Sequence, residues 1–197
     1  MDPLFDFSGK VVLVTGGSRG LGYQMVKAFA ERGADVVIAS RKAEKCAEVA
    51  EEVRALGRRA LPWACHVGHW EEIDGLVAAA YGEFGKVDVL VNNAGMSPVT
   101  ATSADVGEEL FDKIIAVNFK GPFRLSALVG HRMAADGGGC IINISSSAAI
   151  RPTPTAIPYS GAKAALNAIA EGFAAELGKY NVRFNTLSAP RNTSGWR

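Results

Sequence analysis

The chain has 197 residues, 48% of them apolar and 21% charged, with a formal net charge of +1. That length suits one domain with a substantial core, and the near-neutral balance offers no basic stripe for nucleic acid. No apolar run approaches the ~18 residues of a membrane span, and Met1-Asp-Pro-Leu-Phe-Asp6 lacks the basic and apolar regions of a signal peptide. From the N-terminus, apolar runs alternate with segments of helical period. Strands are expected at 11–15, 35–40, 60–65, 87–92, 140–145 and 182–187, and helices at 21–32, 43–56, 70–84, 108–135 and 159–180. This alternation argues βαβ units and one doubly wound α/β domain with a parallel sheet over residues 1–197. There is no linker, repeat or low-complexity stretch, and Gly137-Gly-Gly139 reads as a helix-terminating turn.

Three strand ends carry chemistry. The first strand runs into Thr15-Gly-Gly-Ser-Arg-Gly-Leu-Gly22, and a helix follows in which Met25, Val26, Phe29 and Ala30 recur at helical spacing. Strand, glycine-rich turn and helix is the context of a dinucleotide-binding fingerprint. Gly16 permits the tight turn, Gly20 lets backbone N–H groups approach a pyrophosphate, and Gly22 lets helix and strand pack closely. The spacing is G-x-x-x-G-x-G rather than the commoner G-x-G-x-x-G, and a glycine-rich turn without a ligand is the alternative. The fourth strand runs into Asn92-Asn-Ala-Gly95, and the fifth ends in Ser145-Ser-Ser147. In an open α/β sheet, ligands bind outside the carboxyl ends of the strands, so these ends share one crevice. Taken singly, Asn93 or Ser146 reads as a loop-capping side chain rather than a site residue.

In Tyr159-Ser-Gly-Ala-Lys163 the phenol and the ammonium share a helix face. A cation there favours the phenolate and makes the tyrosine a proton donor or acceptor; an ordinary surface pair has the same spacing. Ser146 lies thirteen residues before Tyr159. The last helix also has a large stripe, Leu166, Ile169, Phe173 and Leu177, expected to cover the sheet, and a small face, Ala164, Ala168, Gly172 and Ala175. Cys46, Cys65 and Cys140 form no C-x-x-C and read as buried or partly buried free thiols in a reducing, cytoplasmic compartment. His66, His69 and His131 show no metal-ligand spacing, and no metal is expected.

Together, Thr15-Gly-x-x-x-Gly-x-Gly22, Asn92-Asn-Ala-Gly95, Asn118, Ser146 and Tyr159-x-x-x-Lys163 resemble the short-chain dehydrogenase/reductase family in order and spacing, from about Phe7 to Leu187. Ser40-Arg41 and Cys65-His-Val-Gly68 resemble its NADPH-dependent carbonyl reductases. The resemblance implies a Rossmann fold and hydride transfer between NADP(H) and a small-molecule carbonyl or secondary alcohol. It implies catalytic roles for Asn118, Ser146, Tyr159 and Lys163. Ser146 and Tyr159 would hold the carbonyl oxygen, Tyr159 would give its proton, Lys163 would also bind the nicotinamide ribose, and Asn118 would complete a proton relay from a local break in its helix. Ser145 and Ser147 are rivals for the serine role, and the spacing selects Ser146.

The same resemblance places the cofactor on Gly16, Ser18, Arg19, Gly20, Leu21 and Gly22. It adds Ser40 and Arg41 after the second strand, His66 and Val67 after the third, Asn93, Ala94 and Gly95 after the fourth, and Tyr159 with Lys163. Ser40 replaces the acid of NAD-specific relatives, and Arg19 and Arg41 suit a 2′-phosphate, so NADPH is expected over NADH. His66 departs from the family's usual Asp beside the adenine; an imidazole stacks on the ring or accepts a hydrogen bond from its amino group. A homodimer or homotetramer through the last two long helices is implied.

The chain's end departs from the family. Relatives continue for roughly fifty residues, with a substrate-covering segment and a seventh strand, and carry Asn-x-x-x-Pro-Gly after the sixth. Here Asn185-Thr-Leu-Ser188 fits, but Pro190 is one place late and the glycine is missing. The sequence therefore predicts six strands with the last as an exposed edge, and no S-K-L-like peroxisomal address at Gly195-Trp-Arg197. A working oxidoreductase and a catalytically poor NADP(H)-binding fragment or dimer partner both stay open, and the 197-residue chain expressed alone is expected to be aggregation-prone with little or no reductase activity.

Overall fold

Val11-Val-Leu-Val-Thr15 buries all five of its residues, as a central parallel strand must when helices cover both faces. In the computed structural model, which describes residues 3–189, this run is β1 (Val11–Thr15). It joins β2 (Asp35–Ser40), β3 (Ala60–Ala64), β4 (Val89–Asn92), β5 (Gly139–Ser146) and β6 (Val182–Ala189). Every pairing is parallel, in the order β3-β2-β1-β4-β5-β6. That order is the doubly wound Rossmann arrangement, with its switch point between β1 and β4.

The helices are α1 (Gly20–Glu31), α2 (Ala43–Ala55), α3 (Trp70–Phe84), α4 (Glu108–Ile115), α5 (Gly121–Ala135) and α6 (Ile157–Leu177). Because strand side chains alternate between faces, β1 sends Val12 and Val14 to one cluster and Val11 and Leu13 to the other. The first cluster is closed by Val26 and Ala30 of α1 and by Val49 and Val53 of α2. The second is closed by Ile73 and Leu76 of α3, Leu125 and Met133 of α5, and Phe173 and Leu177 of α6. The large stripe of α6 lies on the sheet as expected, while Ala164, Ala168, Gly172 and Ala175 stay exposed.

Both edges have local explanations. Pro62 sits within β3, which is tolerable because β3 is an edge strand and needs no ladder bond from that position on its outer side. At the other edge, β6 buries Val182 and half-buries Phe184 and Thr186, while Arg183, Asn185 and Leu187 face solvent. The sixth strand is thus an edge among the described residues, and it runs to Ala189 rather than ending at 187. Pro190 and the residues after it lie outside the described residues. Cys46, Cys65 and Cys140 are buried free thiols. No helix among the described residues is long and apolar enough to cross a membrane.

The sequence expectation of one helix over 108–135 is corrected. It is two helices joined by a π turn at Ala116–Lys120. Pro122 in the first turn of α5 has no N–H to donate, and Gly121 lies so close to the Val67 carbonyl that a Cβ there would overlap it. The break brings Asn118 inward: it is fully buried, where a mid-helix Asn ordinarily faces solvent.

Candidate active site

The glycine turn is a tight device. Gly16 (φ 65°) and Gly20 (φ 56°) adopt left-handed backbone that favours glycine. A Cβ on Gly22 would overlap the Gly16 carbonyl and lie 2.5 Å from Asn93 Nδ2. The turn is locked to β4 by Thr15, whose Oγ1 donates to the Val91 carbonyl (3.3 Å) and accepts from the amides of Asn93 (3.0 Å) and Ala94 (3.1 Å). Asn93 Nδ2 donates back to the Thr15 carbonyl (2.9 Å). Thr15, which the motif marks only as the end of β1, fixes the two loops that diverge at the switch point.

One feature of the turn fits an anionic ligand, and a second, beside it, fits a hydrogen-bond donor. Arg19 stands at the N-cap of α1 without a side-chain cap, so the first-turn N–H groups and the helix dipole are left for a phosphate. Asn93 Oδ1 is buried without a hydrogen-bond partner, although the same side chain lines the crevice. Leu21 is half-buried beneath this turn. On the far side, Ser18 Oγ and Ser40 Oγ are 2.7 Å apart, joining the turn to the end of β2, and Arg41 is exposed beside them.

Past β3, the amide of His66 donates to Glu72 Oε2 (2.7 Å), and His66 Nδ1 accepts from the Gly68 amide (3.1 Å). Burial, then His69 and Arg41, hold the His66 imidazole below its ordinary basicity. Val67 is buried. These residues, with Ser40 and Arg41, lie at the β2–β3 end, apart from Ser146, Tyr159 and Lys163.

The catalytic candidates converge on a cavity of about 290 Å³ lined by Asn93, Gly95, Ser146, Tyr159 and Lys163, among others. Ser145 lines it too, but its Oγ is turned to the Lys163 carbonyl (3.4 Å) and is buried. Ser146 Oγ accepts from the Ala148 amide (3.2 Å), which caps the next turn and leaves its hydroxyl proton free to donate. Ser147 lines no part of the cavity.

Tyr159 sits in the first turn of α6, half-buried, and its hydroxyl has no partner among the described residues. Lys163, one turn on, is 3% exposed; its Nζ donates to the Ile144 carbonyl (2.7 Å) and lies 5.8 Å from the Tyr159 ring centre. Burial pushes its ammonium down to about 8.

Asn118 reaches this group through the loop after β4. Its Nδ2 donates to the carbonyls of Met96 (2.8 Å) and Ile114 (2.9 Å), and its Oδ1 accepts from the Met96 amide (3.3 Å). A Cβ on Gly95 would lie 3.1 Å from Asn118 Oδ1 and 3.7 Å from Lys163 Nζ, so Gly95 keeps the space between those two groups open. Thr153, which no motif marks, also lines the cavity with a buried, unpartnered Oγ1.

The family model for short chain dehydrogenases matches residues 10–193. Dehydrogenase/reductase SDR family member 4 of Bos taurus is 39% identical over 179 residues, which cover 91% of this chain and 64% of that protein. The chain thus spans just under two thirds of that curated relative's length. Among solved structures, NAD+-bound xylitol dehydrogenase superposes with a TM-score of 0.92 at 30% identity, covering 96% of this chain and 73% of that one. A metagenomic short-chain oxidoreductase in complex with NADP gives a TM-score of 0.88 at 34% identity, covering 95% and 84%. Motif order, strand order and these likenesses agree: the chain belongs to the short-chain dehydrogenase/reductase family of oxidoreductases.

Proposed function

We propose that this chain binds NADP(H) across the carboxyl ends of β1 to β4 and uses Ser146, Tyr159, Lys163 and Asn118 to interconvert a carbonyl and a secondary alcohol. The observation that carries the reading is the single cavity onto which Ser146, Tyr159 and Lys163 open beside the uncapped glycine turn. The turn from Gly16 to Gly22 would hold the pyrophosphate on backbone N–H groups. Ser40 places no carboxylate at the end of β2, and Arg19 and Arg41 supply fixed positive charge there, which favours a 2′-phosphate over a free hydroxyl. Gly95 and Lys163 would border the nicotinamide end. When bound, the nicotinamide supplies or takes the hydride.

The protein's own part is orientation and proton transfer. The free hydroxyl protons of Ser146 and Tyr159 converge on a carbonyl oxygen, orient it and stabilise its developing charge. Tyr159 gives its proton in reduction and takes one in oxidation. Lys163, still mostly an ammonium at pH 7 with its value at about 8, holds positive charge one helical turn away and favours the phenolate left behind. Asn118 shapes the far wall through the Met96 loop, and the relay from Lys163 passes its side. The exposed small face of α6, with α5 before it, is the surface on which we expect a homodimer or homotetramer, and three buried free thiols suit a reducing, cytoplasmic compartment.

The test is NADPH oxidation against ketones, quinones, retinal and 3-oxoacyl thioesters, with Tyr159→Phe alongside. General acid catalysis is worth roughly 100-fold or more, so the variant should lose at least that in turnover while NADPH affinity is kept. A Tyr159→Phe protein that kept most of the parent's turnover would contradict the assignment.

A further inference from the structure

His66 lies two residues past the end of β3, and its surroundings fix its hydrogen-bonding polarity. Nδ1 accepts from the Gly68 amide at 3.1 Å, so its lone pair is committed and a neutral ring carries its proton on Nε2. Turning the ring over would set a carbon against that N–H and forfeit the bond. In the charged ring both nitrogens carry protons. Nε2 is therefore a donor in either charge state, and it has no acceptor among the described residues.

The ring is also held in place. It stacks on His69, with centres 4.3 Å apart and planes 22° from parallel. Glu72 takes the His66 amide on Oε2 (2.7 Å) and His69 Nδ1 on Oε1 (2.5 Å). Gly68 allows the close approach, since a Cβ there would lie 2.9 Å from His66 Cε1. Burial, His69 and Arg41 all oppose a positive charge on the ring.

We infer that His66 meets the purine 6-position of the cofactor as a hydrogen-bond donor, so that the site does not select the 6-amino group and takes a 6-oxo base as well as adenine. This rests on the dinucleotide reading above. β3 lies beside β2, so the residues that close β3 border the base of a nucleotide whose ribose is read at the end of β2. An adenine amino group donates, and two donors facing one another repel; a hypoxanthine carbonyl accepts. The Val67 amide next to it would face N1, an acceptor in adenine and a donor in hypoxanthine, so it opposes the 6-oxo base about as much as His66 favours it; it does so in parent and variant alike, and cancels in a comparison between them.

The experiment titrates reduced nicotinamide adenine dinucleotide phosphate and its deamino (hypoxanthine) analogue into the chain and into His66→Asp, by calorimetry. The parent should bind the two within about threefold, and the variant's new acceptor should favour the amino form by a further factor of about ten or more, the worth of one hydrogen bond to a charged group. An unchanged ratio in His66→Asp, or a parent that rejects the 6-oxo form about tenfold, overturns the inference while leaving the dinucleotide reading intact. Failure of the parent to bind either nucleotide overturns both. Imidazole ¹⁵N NMR of the parent alone gives a second readout. It should show His66 protonated on Nε2 and bare on Nδ1 near neutral pH, and the reverse tautomer overturns the inference.

Discussion

Replacing Lys163 by methionine tests how the fold holds its most buried charge. The parent's ammonium, 3% exposed, is held at about 8 against an ordinary 10.5, and burial is the cause. Between those values the unfolded chain keeps a proton that the folded chain has released, so stability rises with pH. The cost is fully present below about 8 and gone by about 10.5, and it amounts to about 3 kcal/mol. Methionine removes the charge but leaves the Ile144 carbonyl without its donor, an offset of about 1–3 kcal/mol, so at pH 7 the two proteins should differ little. Their pH dependence should differ clearly. Urea unfolding from pH 7 to 10.5 should show the parent gaining about 3 kcal/mol relative to the variant. Cys65 and Tyr81, each pushed up to about 12 by burial, lose stability over the same range in both proteins and cancel. Parallel curves would refute the reasoning, for the buried amine would then not be the group that titrates.

Other substitutions probe separate parts of the account. Arg41→Asp should lower NADPH affinity by about 1.5–3 kcal/mol and erase or reverse a preference over NADH, read by calorimetry with both cofactors; equal affinities in the parent would remove the basis for that preference. Asn118→Ala removes the side-chain donor to the part-buried Met96 carbonyl and the buried Ile114 carbonyl and should cost about 1–3 kcal/mol in all, seen as a lower urea midpoint with an unchanged slope. Leu177→Ala opens the core beneath α6, where Leu177 is 1% exposed, and should cost about 2–5 kcal/mol with little change in NADPH affinity.

Where the sequence carried long periodic or continuous apolar runs, the structure follows it closely: β1, β2 and α3 begin and end at the expected residues. The run 108–135 did not divide on periodicity, because a π turn keeps nearly helical spacing; Gly121-Pro122 was the local signal for the break. Asn118 reads as a solvent-facing residue by rule, and its burial comes from partners on the Met96 loop, 22 residues away, which no local pattern encodes. The Tyr159 and Lys163 pair was legible from helix geometry, but the Ile144 carbonyl that holds Lys163 belongs to a neighbouring strand. The choice among Ser145, Ser146 and Ser147 rests on spacing alone; in the structure Ser145 Oγ donates to the Lys163 carbonyl, and Ser147 lines no part of the cavity. His66 was recognised as a departure, yet its polarity is set by the Gly68 amide two residues on, which fixes one tautomer. Thr153 carried no signal at all.

The central claim is that the glycine turn cradles a phosphorylated dinucleotide, and titrating NADPH into the parent and into Gly22→Ala tests it most directly. A Cβ at Gly22 would overlap the Gly16 carbonyl and crowd Asn93, closing the turn without touching Tyr159, Lys163 or Arg41. The account predicts saturable NADPH binding by the parent, tighter than NADH, and a loss of about tenfold or more in Gly22→Ala. Absence of saturable binding in the parent, or equal affinity in a folded Gly22→Ala protein, would contradict it.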